Sequence, residues 1–304
     1  MPTFPSSTPP LASEVGYALR QLLTLYPTHP LAEVFSCVSD EGTVECTQLS
    51  RHMATWSTQL GYPRSHSHTL FFPKKEHTQR LLLQRGVAYA LLGAPEQARQ
   101  DLHTLLQRGG TTRRLEGLTC LVLAVLATEQ ERYPDALPLW KQARAWLQPQ
   151  EYDCLAYTWY YAKVLIQLKH LRKAHNVLTK ILTPAVPDPR LPRQEERAEA
   201  YAELYAQRGG VCSLLQYRQE AIEDLNAAIE LYPTCARFFS IRGLLHAKDQ
   251  HWQAAYQDLW HALHEMPEDP ALADCFFVVM QRLGTQLTVP TPPTMRTKGR
   301  TTHA

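Results

Sequence analysis

Glycine is scarce in this sequence, and so is the alternating pattern that marks β-strands. The 304 residues include only 13 glycines, which is few for a protein with many tight turns between strands. Alternation of Val, Ile and Thr is hard to find, whereas Leu, Ala, Gln, Glu and Arg abound. Because these residues favour helices, the composition predicts an all-α protein.

Closely spaced cysteines are also missing. The seven cysteines lie at positions 37, 46, 120, 154, 212, 235 and 275, and no two are separated by only two residues. An odd and scattered set predicts reduced thiols in a reducing compartment, and it disfavours a disulfide framework or a zinc knuckle.

Membrane and export signals are absent from the sequence as well. No run of 18 apolar residues is present, so no membrane span is predicted. Residues 1–10 are polar and rich in proline, without the basic start and apolar core of a signal peptide. We therefore expect a cytoplasmic protein with no membrane partner.

No catalytic or cofactor motif is found. The sequence lacks a Gly-x-Ser-x-Gly elbow, a phosphate-binding loop and a His-Glu-x-x-His pair. The pair His66–His68 has no evident third metal ligand, and the pair His261–His264, which is followed by Glu265, is expected on a solvated helix face. Residues 39–45 resemble part of a calcium loop, but its end positions would carry no carboxylate, which favours a polar turn. We therefore expect no catalysis, no cofactor and no metal.

A repeat is the most informative feature that the sequence does contain. Two stretches within residues 202–269 superimpose at a shift of 34 residues. The matched pairs are Gly209 and Gly243, Ala221 and Ala255, Leu225 and Leu259, Ala228 and Ala262, and Pro233 and Pro267. A glycine inside a helix costs up to ~1 kcal/mol relative to alanine, so its recurrence predicts two helices in close contact. The prolines predict where the second helices end.

This 34-residue unit resembles the tetratricopeptide repeat (TPR) family, in which helix pairs stack into a solenoid. Further copies are indicated by alanines at positions 98, 136 and 174, before those at 221 and 255. The resemblance implies an all-α solenoid of stacked antiparallel helix pairs, with about five TPR-like repeats and a capping helix at residues 269–283.

Composition shifts divide the chain into five segments. We predict an N-terminal helical segment with loops (1–78), a first array of three repeats (79–182), a Pro-rich joint (183–193), a second array of two repeats with its capping helix (194–284) and a disordered tail (285–304). Within the N-terminal segment, apolar spacing predicts helices at 12–26, 30–37 and 47–60.

The resemblance further implies that the first helix of each pair lines a concave groove that binds a partner. The groove residues of the first array are then Leu83, Val87, Leu121, Val125, Trp159 and Lys163. The first five form an apolar stripe, and such a stripe should be covered in solution. A partner peptide is one candidate cover, and the chain's own N-terminal helices are another.

The function that the resemblance implies is a non-catalytic scaffold or adaptor that captures a peptide or helix of a partner protein, with self-association possible. One alternative is a nucleic-acid-associated factor, because residues 79–182 carry 14 basic and 8 acidic side chains. Residues 202–284 carry 6 and 11, however, and no recognition motif is present, so a nucleic-acid partner is disfavoured. The other alternative is an enzyme subunit with its chemistry in residues 1–78.

The Pro-rich joint generates a first prediction. Limited trypsin digestion should cleave after Arg190 or Arg193 before it cleaves within residues 202–267, because exposed connections are cut before packed helices. Mass spectrometry of the first fragments identifies the cut. Earlier cleavage inside the fourth and fifth repeats would contradict the division into two arrays.

Overall fold

The computed structural model describes residues 15, 18–23, 29–38, 44–61, 75–183, 197–267 and 269–286. In this part of the chain the regular structure is helical, and strand pairing is limited to two isolated bridges. The helices are α1 (Ala32–Phe35), α2 (Cys46–Gly61), α3 (Lys75–Leu91), α4 (Pro95–Gln107), α5 (Arg113–Glu129), α6 (Tyr133–Trp146), α7 (Cys154–Gln167), α8 (Leu171–Leu182), α9 (Ala198–Leu214), α10 (Arg218–Leu231), α11 (Ala236–Lys248), α12 (Trp252–Glu265) and α13 (Pro270–Gln286).

The helices from α3 onward form five consecutive pairs followed by α13 as a single terminal helix. Each helix packs most closely on its partner in the pair and then on the next pair along the chain. The predicted all-α solenoid with about five repeats and a capping helix is therefore confirmed. Of the N-terminal predictions, α1 and α2 match the helices expected at 30–37 and 47–60. Residues 18–22 are helical, as expected for 12–26.

Small residues set the distance between the two helices of a pair. A methyl group on Gly86 would lie 2.9 Å from the side chain of Leu102, and one on Gly243 would lie 2.9 Å from that of Leu259. The helices touch at these points, so a larger side chain would force them apart. The alanines that the sequence placed at the same contact, including Ala221 and Ala255, are fully buried.

An ion pair stands beside this contact in three of the five pairs. The arginine before each glycine binds the aspartate 16 residues later with two hydrogen bonds. The distances are 2.6 and 2.7 Å for Arg85–Asp101, 2.9 and 2.6 Å for Arg208–Asp224, and 2.8 and 2.7 Å for Arg242–Asp258. Burial raises the pKa of Asp224, and the guanidinium of Arg208 opposes that rise. The desolvated carboxylate therefore depends on its arginine.

The second and third pairs use apolar residues at the same positions. Leu123 and Leu139 replace the ion pair between α5 and α6, and Tyr161 and Val177 replace it between α7 and α8. Each of these pairs also lies about one helical turn further along the sequence from the preceding pair than the 34-residue repeat requires. The extra turn of the second pair lies in α5, which has 17 residues where α11 has 13. The extra turn of the third pair lies in the connection before α7, which contains a short 3-10 turn at Pro149–Glu151.

Every pair makes the same turn between its two helices. One residue in each turn has a positive φ: Gly93 (72°), Glu131 (58°), Lys169 (60°), Gln216 (66°) and Gln250 (61°). The next residue donates its N–H to a carbonyl five positions back, as His251 does to His246 at 2.9 Å. This is the Schellman arrangement, and it gives successive pairs the same geometry.

The stack continues across the predicted Pro-rich joint. Helix α9 packs against both α7 and α8. Leu155 and Leu165 share an apolar cluster with Tyr201 and Leu204. The two predicted arrays are therefore in direct contact, because this cluster is built by residues from both. Residues 184–193 themselves lie outside the described residues, as do residues 39–43, His66–His68 and the tail from 287.

Two further sequence expectations concern the cysteines and the membrane. All seven cysteines are free thiols, and burial raises the pKa of both Cys120 and Cys212 to about 11. None of the described helices combines the length and the apolar character needed to cross a bilayer.

The recurring ion pair leads to a second prediction. Arg242→Leu should lower the free energy of unfolding by about 1–3 kcal/mol, because it leaves Asp258 buried without its donor. The double variant Arg242→Leu/Asp258→Leu imitates the Leu123–Leu139 pair and should recover most of that loss. Urea unfolding followed by circular dichroism measures both.

The control is Arg218→Leu, which removes an arginine that is 61 % exposed from its pair with Asp249. That loss should stay below about 1 kcal/mol. A double variant as unstable as Arg242→Leu would show that the pair cannot be replaced by apolar packing.

Candidate functional site

Most of the predicted apolar stripe is inside the protein. Four of the six predicted groove residues have no exposed surface, namely Leu83, Val87, Leu121 and Val125. They belong to an apolar cluster that also contains N-terminal residues such as Leu19, Leu22 and Phe35. The sequence left two candidates for the cover of this stripe, a partner peptide and the chain's own N-terminal helices. In the structure the N-terminal segment covers it. Only Trp159 and Lys163 keep partial exposure.

Hydrogen bonds attach this N-terminal cover, which comprises the described residues between 15 and 61. Gln84 of α3 donates its Nε2 to the carbonyl oxygen of Pro30 at 3.0 Å and to the carboxylate of Glu33 at 3.2 Å. At the other end the backbone N–H of Asp153 donates to Leu22 at 2.9 Å, beside a bridge between Leu23 and Tyr152. The cover therefore spans the first helices from α3 to the start of α7.

His29 lies within this cover and is fully buried. Its Nδ1 accepts a hydrogen bond from the backbone N–H of Leu31 at 3.1 Å. Burial, helped by the positive charge of Arg114, lowers the pKa of His29 to about 4. The imidazole is therefore neutral in the folded protein at pH 7.

An open cleft begins where the cover ends. It has a volume of about 900 Å³ and lies between the edge of the cover, α7, α9 and the start of α11. Trp159 of α7 lines it together with Leu155 and Tyr160. The indole Nε1 of Trp159 is buried without an acceptor, and the Lys163 ammonium lies 5.5 Å from the centre of the indole ring. Of the two partly exposed members of the predicted groove, Trp159 therefore lines this cleft, and Lys163 contacts its indole ring.

Two ion pairs also line the cleft. Arg197 donates to the carboxylate of Asp153 at 2.9 Å, and that carboxylate also accepts the first backbone N–H groups of α7. Arg237 of α11 is paired with Glu203 of α9. The cleft therefore combines an aromatic surface with charges of both signs, which suits an amphipathic chain better than a purely apolar or purely anionic one.

Sequence reasoning missed the charged side of this cleft. The signal was present for one pair, since Glu203 and Arg237 are separated by 34 residues, which is one repeat. Equivalent positions in consecutive repeats are neighbours across the stack. Arg197 could not be found in this way, because it follows the proline-rich segment and has no counterpart in the repeat pattern.

The histidine pair on α12 does not converge on a common point. His261 stacks on Phe239 with ring centres 4.1 Å apart, and His264 stacks on Trp260 at 5.8 Å. Gly209 and Gly210 lie within α9, and Gly109 and Gly110 lie between pairs, as expected.

Comparison with known proteins rests on structure alone, since no protein-family model and no curated protein matches the chain. A solved TPR protein from Parabacteroides merdae superimposes with a TM-score of 0.54 and 16 % identity, covering 68 % of this chain and 73 % of that one. The fold is that of a TPR solenoid. The APC/C hetero-tetramer Cut9–Hcn1 gives a TM-score of 0.50 with 17 % identity, over 66 % of this chain. This chain covers 36 % of the length of that match.

His29 generates the third prediction. Between about pH 6.5 and 4 the unfolded chain binds a proton at His29 that the folded chain does not. The stability contributed by neutral His29 is therefore present above pH 6.5 and is lost as the pH falls towards 4. Thermal melts should show a fall in Tm from pH 7 to pH 5 that is smaller in His29→Asn, whose side-chain oxygen can still accept from Leu31.

The control is His264→Asn, which changes an exposed histidine on α12 and should leave the pH dependence as in the wild type. Equal pH dependence in the wild type and His29→Asn would contradict the assignment of a depressed pKa to His29.

Proposed function

We propose that this protein is a non-catalytic scaffold that captures a segment of a partner protein in the open cleft beside Trp159. The observation that carries the proposal is the partly exposed indole of Trp159, whose buried N–H has no acceptor, on the wall of a cleft of about 900 Å³. Buried donors are normally paired. A bound backbone carbonyl would supply the missing acceptor.

The neighbouring surface supports the same proposal. The first helices α3 and α5 hold the N-terminal cover through apolar side chains, and Gln84 of α3 donates a hydrogen bond to the carbonyl oxygen of Pro30. The cleft continues this face along the stack towards α9 and α11. A partner segment would then use the same type of contact, with an apolar side chain on Trp159 and polar groups towards the ion pairs.

The charges favour a peptide over a nucleic acid. In the cleft the guanidinium groups of Arg197 and Arg237 are each paired with a carboxylate. The phosphates of a nucleic acid would have to compete with the carboxylates of Asp153 and Glu203 for these guanidinium groups, and the same carboxylates would repel the phosphates. An amphipathic peptide with charges of both signs can bind without breaking the pairs.

The fourth prediction tests the cleft with a peptide selected by display on the full-length protein. Trp159→Ala should weaken its Kd by about 30-fold, since removing a central aromatic anchor typically costs ~2 kcal/mol or more. Trp260→Ala is the matched control, because Trp260 is 54 % exposed and lies on α12, away from the residues that line the cleft. Isothermal titration calorimetry measures the Kd of the peptide for the wild type and for both variants.

A second arm separates binding from folding. Arg237→Glu places two acidic side chains together at the cleft edge, and it should change peptide affinity while the helical signal and the Tm stay close to wild type. Peptide affinity unchanged in both Trp159→Ala and Arg237→Glu, in protein that remains folded, would exclude this cleft as the binding site.

A further inference from the structure

Three potential metal ligands from three helices meet at the boundary between the third and fourth pairs. They are His175 on α8, Cys212 on α9 and Glu220 on α10, and their ligand atoms all lie within 4.8 Å of one another. The His175 Nε2 is 3.8 Å from the Glu220 carboxylate. The Cys212 Sγ is 4.0 Å from the same carboxylate oxygen. His175 precedes Cys212 by 37 residues and Glu220 follows it by eight, which matches no common metal-ligand spacing motif.

The distances suit a small tetrahedral ion after a slight contraction. Zinc binds sulfur at ~2.3 Å and nitrogen or oxygen at ~2.0–2.2 Å, which places neighbouring ligand atoms roughly 3.3–3.7 Å apart in a tetrahedron. The two separations from the Glu220 oxygen exceed that range by a few tenths of an ångström, and because all three ligand atoms lie within 4.8 Å of one another, none has to move by more than about 1 Å relative to another. The required movement falls on the Glu220 side chain, which is 60 % exposed, and on His175, which is 23 % exposed.

We propose that His175, Cys212 and Glu220 bind a divalent transition-metal ion, Zn²⁺ by preference, with a water molecule in the fourth position. A thiolate, an imidazole and a carboxylate together select zinc and its neighbours over Mg²⁺ or Ca²⁺, which prefer oxygen ligands alone. When the metal binds, the thiol proton of Cys212 passes to solvent and the sulfur takes the metal in its place.

The surrounding charges favour a dication. Asp224 and Arg208 lie next to the cluster and neutralise each other through their paired hydrogen bonds. With the Cys212 thiolate and the Glu220 carboxylate ionised, the site holds two net negative charges. The Tyr217 ring packs edge-on against the His175 ring at 6.1 Å, which limits the orientation of the imidazole. The site is separate from the cleft beside Trp159.

The location gives the metal a structural role. The ligand on α8 belongs to the third helix pair, and those on α9 and α10 belong to the fourth. A bound ion would therefore join the two pairs across the chain segment that connects Thr183 to Arg197. An ion bound only in the folded state stabilises that state by mass action.

The test is titration of the full-length, reduced, metal-free protein with Co²⁺ and then with Zn²⁺. The expected result is one equivalent of Co²⁺, with a thiolate-to-cobalt charge-transfer band and the visible bands of a tetrahedral site, displaced by one equivalent of Zn²⁺. Cys212→Ser should abolish the charge-transfer band. His175→Gln and Glu220→Gln should each weaken affinity by more than ~10-fold, since even outer-shell changes reach that size.

Matched controls are Cys235→Ser and His264→Gln, which change a cysteine and a histidine outside the cluster and should leave the titration unchanged. Zn²⁺ should also raise the Tm of the wild type but not that of His175→Gln. Failure to bind one equivalent of Co²⁺, or a charge-transfer band that survives in Cys212→Ser, would overturn the proposal.

Discussion

The close approach of the two helices in each pair is the constraint on which the rest of the structure depends. At Gly86, Gly209 and Gly243 an added methyl group would lie 2.9–3.1 Å from the facing helix. This close approach allows the arginine next to each glycine to donate two hydrogen bonds to its aspartate. The same arginines lie over aromatic rings of the first helices, at 5.6–5.9 Å from the ring centres. One small residue thus positions a buried ion pair, and the ion pair in turn opposes any sliding of the helices.

Much of this fold could be predicted from the sequence, because the information is local and periodic. The shift that matches Gly209 with Gly243 and Ala221 with Ala255 predicts the helix pairs, and the prolines at 233 and 267 predict where helices end. The same register predicts the groove residues on the first helices. The apolar character of these residues predicts that they are covered. The register does not predict what covers them, because the cover is built by residues between 15 and 61, which have no repeat pattern. Contacts between segments distant in sequence leave no period to detect.

The boundary between the third and fourth pairs brings several features together. The proline-rich segment connects these pairs, yet Leu155 and Tyr201 share one apolar cluster across it. The open cleft lies on one side of this boundary, between α7 and α9. The His175–Cys212–Glu220 cluster lies between α8, α9 and α10. A change in the packing angle between the two pairs would alter the geometry of both places.

The covalent attachment of the N-terminal cover has a consequence for competition. A segment tethered to its own binding surface has an effective concentration in the millimolar range. A free competitor with the same intrinsic affinity, present at about 1 µM, would occupy that surface in roughly one molecule in a thousand. The part of the groove that the N-terminal cover occupies is thus closed to soluble segments of ordinary affinity. Under the proposed function, entry there would require a partner that is itself tethered, for example one already held in the adjoining cleft.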